Sequence, residues 1–198
     1  IPYSPSAKAA TRMTLDIDAA PVDLHLNVIG AKYRLSGDVI YSDWPQVSIG
    51  VQYKKQVDFA IPQSVGAVKS GGTDFYLSAA KVWLNGIANR TMLFNLNLRL
   101  SKANQIGLLG FGGDRDDDYD VLVEAVAGFF ANRHWLIGTE YRQKSNNLSA
   151  LKEDDWFDFF ITYLPNKSMT ITAAYLNLGD IAGAPDQTGF YLSLQGSF

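Results

Sequence analysis

From Phe94 to Ser101 the chain reads Phe-Asn-Leu-Asn-Leu-Arg-Leu-Ser, apolar at every even position and polar at every odd one. A period of two fits a β-strand with one apolar and one polar face, and it excludes an amphipathic helix. The same alternation sets Val47, Ile49, Val51 and Tyr53 against Ser48, Gly50, Gln52 and Lys54. It sets Trp135, Ile137, Thr139 and Tyr141 against Leu136, Gly138, Glu140 and Arg142. Phe157, Phe159, Ile161 and Tyr163 oppose Asp158, Phe160 and Thr162, and Met169, Ile171, Ala173 and Tyr175 oppose Thr170, Thr172 and Ala174. Each run is rich in the aromatic and β-branched residues that strands favour.

The pattern predicts strands over about 23–36, 46–55, 73–85, 91–102, 119–131, 134–144, 154–165, 168–178 and 188–198. Many exceed the roughly five or six residues usual in soluble sheets. They match the roughly 9 to 11 that a tilted strand needs to cross a bilayer. In the first strand the apolar parity passes from Leu24, Leu26 and Val28 to Ile29, Ala31, Tyr33 and Leu35. That change predicts a β-bulge near Gly30.

Short and long connections alternate. Gly37 to Pro45, Gly86 to Arg90, Asn132 to Arg133 and Pro165 to Lys167 are short; Gln56 to Gly72, Ala103 to Asp118, Ser145 to Glu153 and Gly179 to Gln187 are long. Transmembrane barrels have this asymmetry, with tight periplasmic turns and longer outer loops, whereas a lipocalin-like soluble barrel has no need of it. Nine strands would be an odd number, so a tenth is expected at Arg12 to Asp16, with Ala19-Ala20-Pro21 as a brief outer turn; the alternative is that further N-terminal strands are missing. The expected fold is all-β, an antiparallel up-and-down transmembrane β-barrel of about ten strands. It forms one domain over 1–198, with an atypical segment at 1–21.

Composition narrows the function. Seventeen Lys plus Arg against 20 Asp plus Glu leave a net charge of −3, which argues against a nucleic-acid partner. The absence of Cys removes disulfides, thiolate metal sites and cysteine nucleophiles. The most apolar stretch, Val121 to Phe130, is interrupted by Glu124, so no transmembrane helix is expected. The chain opens Ile-Pro-Tyr-Ser-Pro without Met or a secretory signal, which reads as a processed, trimmed or incomplete chain.

At the other end Phe190, Leu192, Leu194, Gly196 and Phe198 share one strand face. An alternating last strand with terminal Phe resembles the signal read by the bacterial outer-membrane assembly machinery. Val51-Gln52-Tyr53-Lys54-Lys55, Gly72-Thr73-Asp74-Phe75-Tyr76-Leu77, the run Gly107 to Arg115, Glu153-Asp154-Asp155-Trp156 and Gly189 to Gln195 carry a more specific likeness. Together they resemble an uncharacterised family of proteobacterial outer-membrane proteins, a domain of unknown function, from about Gly30 to Phe198. The resemblance implies a fold and a compartment, and further strand-like sequence upstream, but no activity, catalytic residue or cofactor.

If the apolar face meets lipid, the polar face lines a lumen with Lys32, Arg34, Asn95, Asn97, Arg99, Glu124, Glu140, Arg142, Asp158, Thr170 and Thr172. Both charge signs occur, so no strong ion filter is expected. A barrel of about ten strands is narrow: either a selective pore, or an interior closed by salt bridges, with Arg99 and Arg142 pairing Glu124 and Glu140. Asp114, Asp116 and Asp118 alternate as calcium ligands do, but the loop lacks the glycine and late glutamate of an EF-hand. A solvated acidic loop is the reading, Glu153-Asp154-Asp155 is the same case, and no metal is assigned. The apolar run Ile106 to Gly113, with Leu108, Leu109 and Phe111, is costly to leave in water. It should plug the barrel mouth, make an apolar site for a hydrophobic solute there, or pack on neighbouring loops.

His25 and His134 are the only imidazoles, and neither sits near a nucleophile. Trp44, Trp83, Trp135, Trp156, Tyr141 and Tyr163 fall near strand ends, where interfacial girdles lie. The sequence thus points to a Gram-negative outer-membrane barrel, porin-like, that passes or binds a small solute and is not an enzyme. Its partners would be the lipid bilayer, lipopolysaccharide and the assembly machinery. The alternatives are a closed structural barrel attached to other envelope proteins, and a soluble carrier with an apolar interior.

Overall fold

The computed structural model describes residues 9–17, 22–181 and 183–196. They form one antiparallel sheet whose ten strands follow one another in chain order. The strands are β1 (Ala9–Ile17), β2 (Val22–Ser36), β3 (Gln46–Gln56), β4 (Gly71–Trp83), β5 (Met92–Ser101), β6 (Asp120–Asn132), β7 (Trp135–Arg142), β8 (Trp156–Asn166), β9 (Met169–Ile181) and β10 (Ala184–Gly196). One short helix, α1 (Ala60–Ser64), lies between β3 and β4. Among the described residues β1 and β10 are the two sheet edges, and no pairing joins them. The expected turn at Ala19 to Pro21 and the terminal Phe198 lie outside the described residues.

From β2 to β10, period-two alternation divides the sheet into two faces. Leu77 pairs Ile49 on one side and Leu98 on the other, while Ser78 pairs Ser48 and Asn97. The polar face is the buried one: Ser48, Lys54, Asp74, Ser78, Ser101 and Glu124 are all withdrawn from solvent. On the apolar face Tyr33, Ile49, Phe75, Leu98, Ile137 and Phe159 stand 38–57% exposed. This inverts the usual distribution of a soluble sheet, in which the apolar side is the one that packs.

Two predicted details differ. β2 keeps continuous register with β3 through Gly30, and the only irregularity between them falls at Arg34 to Ser36. The parity change in β2 is therefore not a bulge near Gly30. Leu24 and Leu26 are fully buried on the polar-face side because loop residues pack against them there, whereas Ile29, Tyr33 and Leu35 occupy the apolar face. The other difference lies in the last connection. Gly179 to Gln187 is not a long loop, since β9 runs to Ile181 and β10 resumes at Ala184, with register shifts around Gln187.

The connection 37–45, grouped with the short ones although its nine residues equal Ser145 to Glu153 in length, is folded locally. Asp38 accepts the N–H groups of Ile40 and Tyr41, both at 2.8 Å, and the Lys81 ammonium binds the carbonyls of Ile40 and Ser42. Those contacts explain how a lysine can occupy the apolar parity of β4. Within the polar face, Gly50 lies against the ring of Tyr76, and a methyl group at Gly50 would overlap that ring. Gly50→Ala is expected to cost about 1–3 kcal/mol by overpacking. A following Tyr76→Ala should recover part of the loss in urea unfolding, and an additive double variant would count against the packing account.

Candidate functional site

Three connections at one end of the sheet, 57–70, 102–119 and 143–155, fold together into a compact cluster over the polar face, termed the plug for its shape. Leu108, Leu109, Ala67 and Leu148 bury with Leu24 and Leu26 of β2, ringed by Phe59, Val65, Ile106 and Leu151. Each leucine withdrawn from water in this way contributes roughly 1.5–3 kcal/mol. Phe111 is 1% exposed and its backbone bridges both Lys69 and Ala103, tying the second loop to the first. Gly107, Gly110 and Gly112 take φ of 111°, 75° and 61°, which accounts for the glycines in this run. Asn104 donates to the carbonyls of Leu109 (3.3 Å) and Gly112 (2.8 Å) and accepts from Asn147 (3.0 Å). The apolar run Ile106 to Gly113 thus packs on neighbouring loops and also reaches the sheet, where Lys54 donates to the Ile106 carbonyl at 3.1 Å.

Beneath the plug a ladder of charges crosses the polar face from β3 to β7. Lys54 pairs Asp74 at 2.6 Å, Arg99 lies 3.6 Å from Asp74 and 2.8 Å from Glu124, and Arg142 meets Glu124 at 2.8 Å. Arg99 also binds Gln52 at 3.0 Å and lies 5.3 Å from the Tyr76 ring centre, and Ser101 donates to Asp74 at 2.6 Å. Neighbouring strands place these side chains beside one another, because same-face residues opposite and diagonal across a pair come within reach. Alternating signs let each buried charge find an opposite one, without which its burial would be strongly unfavourable.

A second pair belongs to the plug. Lys144 and Glu153 lie 3.2 Å apart with side chains almost wholly buried. Both carboxylate oxygens of Glu153 accept the Gln105 N–H, at 2.9 and 3.0 Å, while Lys144 donates to the Gln105 side-chain oxygen at 2.7 Å. Burial pushes the Glu153 carboxyl up, against the lowering effect of Lys144 and of the Gln105 N–H. Burial likewise pushes the Lys144 ammonium down, against Glu153. The expectation of a solvated acidic loop at Glu153 is thereby corrected: the residue is 5% exposed.

The remaining candidates are distributed as follows. Asn97 binds Glu124 at 3.4 Å, Asn95 binds Ser78 at 3.2 Å, and Thr172 bonds Thr162 at 2.9 Å. Glu140 sits opposite Asp158 across β7 and β8 and, unlike Glu124, shows no ion pair within bonding distance among the described residues. A cavity of about 390 Å³ adjoins both, bordered also by Asn97, Trp156 and Leu176. Lys32 and Arg34 share the polar face but are exposed, Arg34 reaching Gln46 at 3.4 Å. Asp114 binds Ser149, and Asp116 accepts the Asp118 N–H at 2.7 Å. Phe190, Leu192 and Leu194 stand 89%, 76% and 67% exposed on the apolar face of β10. Trp156 departs from the expected girdle: it lies on the polar face with the Lys144 ammonium 4.1 Å from its ring centre.

Sequence reasoning did not single out Asp74, Lys144, Gln105, Asn104 or Asn147. Asp74 was detectable, since it falls on the polar parity of its strand, but the loop residues follow no period. No curated protein and no solved structure matches the chain. The family described as "Protein of unknown function (DUF3034)" matches residues 5–195. With nearly the whole sequence aligned to it, the chain belongs to the DUF3034 family.

Proposed function

We propose that this protein is a β-barrel of the bacterial outer membrane, β1 and β10 being joined in the membrane, that binds or passes a small solute below its plugged end and catalyses no reaction. The observation that carries the reading is the inverted sheet: apolar side chains stand exposed on one face of the successive strands β2 to β10 while paired charges are buried on the other. An apolar band of that extent is unfavourable in water and favourable in hydrocarbon. Strands of 8 to 15 residues are long enough to cross a bilayer. Closure of the sheet follows from the same solvent, because unpaired edge N–H and C=O groups cannot persist in lipid. The exposed Phe190, Leu192 and Leu194 on the last strand suit handling by the assembly machinery. The outer loops, with Asp114, Asp116 and Asp118, would then face lipopolysaccharide.

The test is refolding of the purified full chain into vesicles of brominated phosphatidylcholine. Tryptophan emission is expected to be quenched, and the protein to float with the vesicles after a carbonate wash. Unquenched emission with protein left in the aqueous fraction would sink the membrane reading. A closed structural barrel, attached to other envelope proteins, is the second reading. It is favoured by the plug and the ladder, which together fill one end. Planar-bilayer recording separates the two: discrete conductance steps support passage, and silence from inserted protein supports the closed barrel.

A further inference from the structure

The plug has a base and a tip of different character. Its base is held by neutral packing and amide hydrogen bonds around Leu109, Phe111, Asn104, Asn147 and Leu148. Its tip is held by charges. Gln105 and Ile106 have φ of +44° and +57°, a left-handed conformation that is a genuine outlier for a β-branched residue such as isoleucine. Strain of this kind persists only when the surroundings over-determine it, and it gathers at clamps and switches. Here the surroundings are Glu153 on the Gln105 N–H, Lys144 on the Gln105 side chain and Lys54 on the Ile106 carbonyl. Immediately below, Ile106 faces Arg99, Leu122 and Glu124 across a space of about 20 Å³, so the tip closes directly onto the ladder.

We propose that the tip, Gln105 to Gly107, is a displaceable stopper, latched by the Lys144–Glu153 pair, whose release opens a passage beside the ladder. This rests on the solute-passing barrel proposed above. Loss of the Glu153 charge removes the acceptor that fixes the Gln105 N–H and leaves Lys144 buried without its counter-charge, so the strain at Gln105 and Ile106 is opposed only by the weakened Lys144 contact, Lys54 and the Ile106 packing, while the neutral base keeps its contacts. The tip therefore moves on a hinge supplied by the base, without unfolding of the plug.

The chain has no cysteine, so single cysteines report opening cleanly. Leu108→Cys follows the tip and Leu148→Cys the base; both native side chains are buried. In the full protein refolded into vesicles, Glu153→Gln is expected to speed the reaction of Cys at 108 with a charged thiol reagent roughly ten-fold, leaving Cys at 148 unchanged. Ile106→Gly, which relieves the strain and keeps the charges, is expected to slow labelling at 108 below the wild-type background. Open time in planar bilayers should rise with Glu153→Gln and fall with Ile106→Gly. Unchanged labelling at 108, or equal acceleration at 108 and 148, would overturn the latch. Faster labelling at 108 in a barrel that stays silent even after deletion of residues 105–107 would overturn the passage, and with it the solute-passing reading.

Discussion

Leu98→Arg is expected to prevent bilayer insertion, whereas Asn95→Arg, on the other face of the same strand, is expected to leave it nearly intact. Leu98 is 39% exposed on the apolar face, and an arginine near the bilayer midplane on a lipid-facing position costs about 2–4 kcal/mol. Asn95 lies on the polar face, donating to Ser78, where an added guanidinium has water or Glu140 and Asp158 on that face to meet. Folded fraction is read by resistance to dodecyl sulfate at room temperature, with phosphatidylcholine vesicles as the refolding medium. The contrast between the two variants matters more than either alone. Equal sensitivity at 95 and 98 would mean that neither face meets hydrocarbon, and the membrane reading would fail.

The second large effect is expected at Glu124. Its carboxylate holds Arg99 and Arg142 together, and Glu124→Ala leaves both without it. Removing one member of a buried ion pair costs about 3–5 kcal/mol. Most of that falls on Arg99, whose side chain is 11% exposed, because Arg142 at 35% can turn toward water. Arg99→Met combined with Glu124→Leu is expected to recover much of the loss, since the apolar replacements carry no charge to bury. Urea unfolding in vesicles, followed through tryptophan fluorescence, measures both. A Glu124→Ala loss below about 1 kcal/mol would show a ladder already bathed in water, and the polar face would then be an aqueous channel wall.

The strands were legible because a half-buried sheet repeats its chemistry every two residues, and Phe94 to Ser101 does so without exception. The faces were legible for the same reason, so strand parity alone places Arg99, Glu124 and Arg142 together. Whether the sheet closes was not, because edge pairing between β1 and β10 depends on surroundings that periodicity does not encode. The plug was foreshadowed only by Ile106 to Gly113, too apolar to stay wet. Its partners could not be identified, since Leu24, Ala67 and Leu148 come from three distant segments whose spacing carries no signal. Leu24 and Leu26 show the difficulty most clearly: an apolar residue on an otherwise polar face looks like a register slip until the loop above it is known. Glu153 was concealed in the same way, its acidic neighbours suggesting a solvated surface while burial and Lys144 decided its role.

The origin of the plug in three separate loops also sets an order of assembly. Leu24, Leu108 and Leu148 can meet only after β2, β5 and β7 stand in position, and contacts so distant along the chain form late because the intervening segments must be organised first. In the proposed membrane barrel, a newly inserted molecule would therefore exist for a time as an unsealed cylinder, leaky to its surroundings until the last of the three segments arrives.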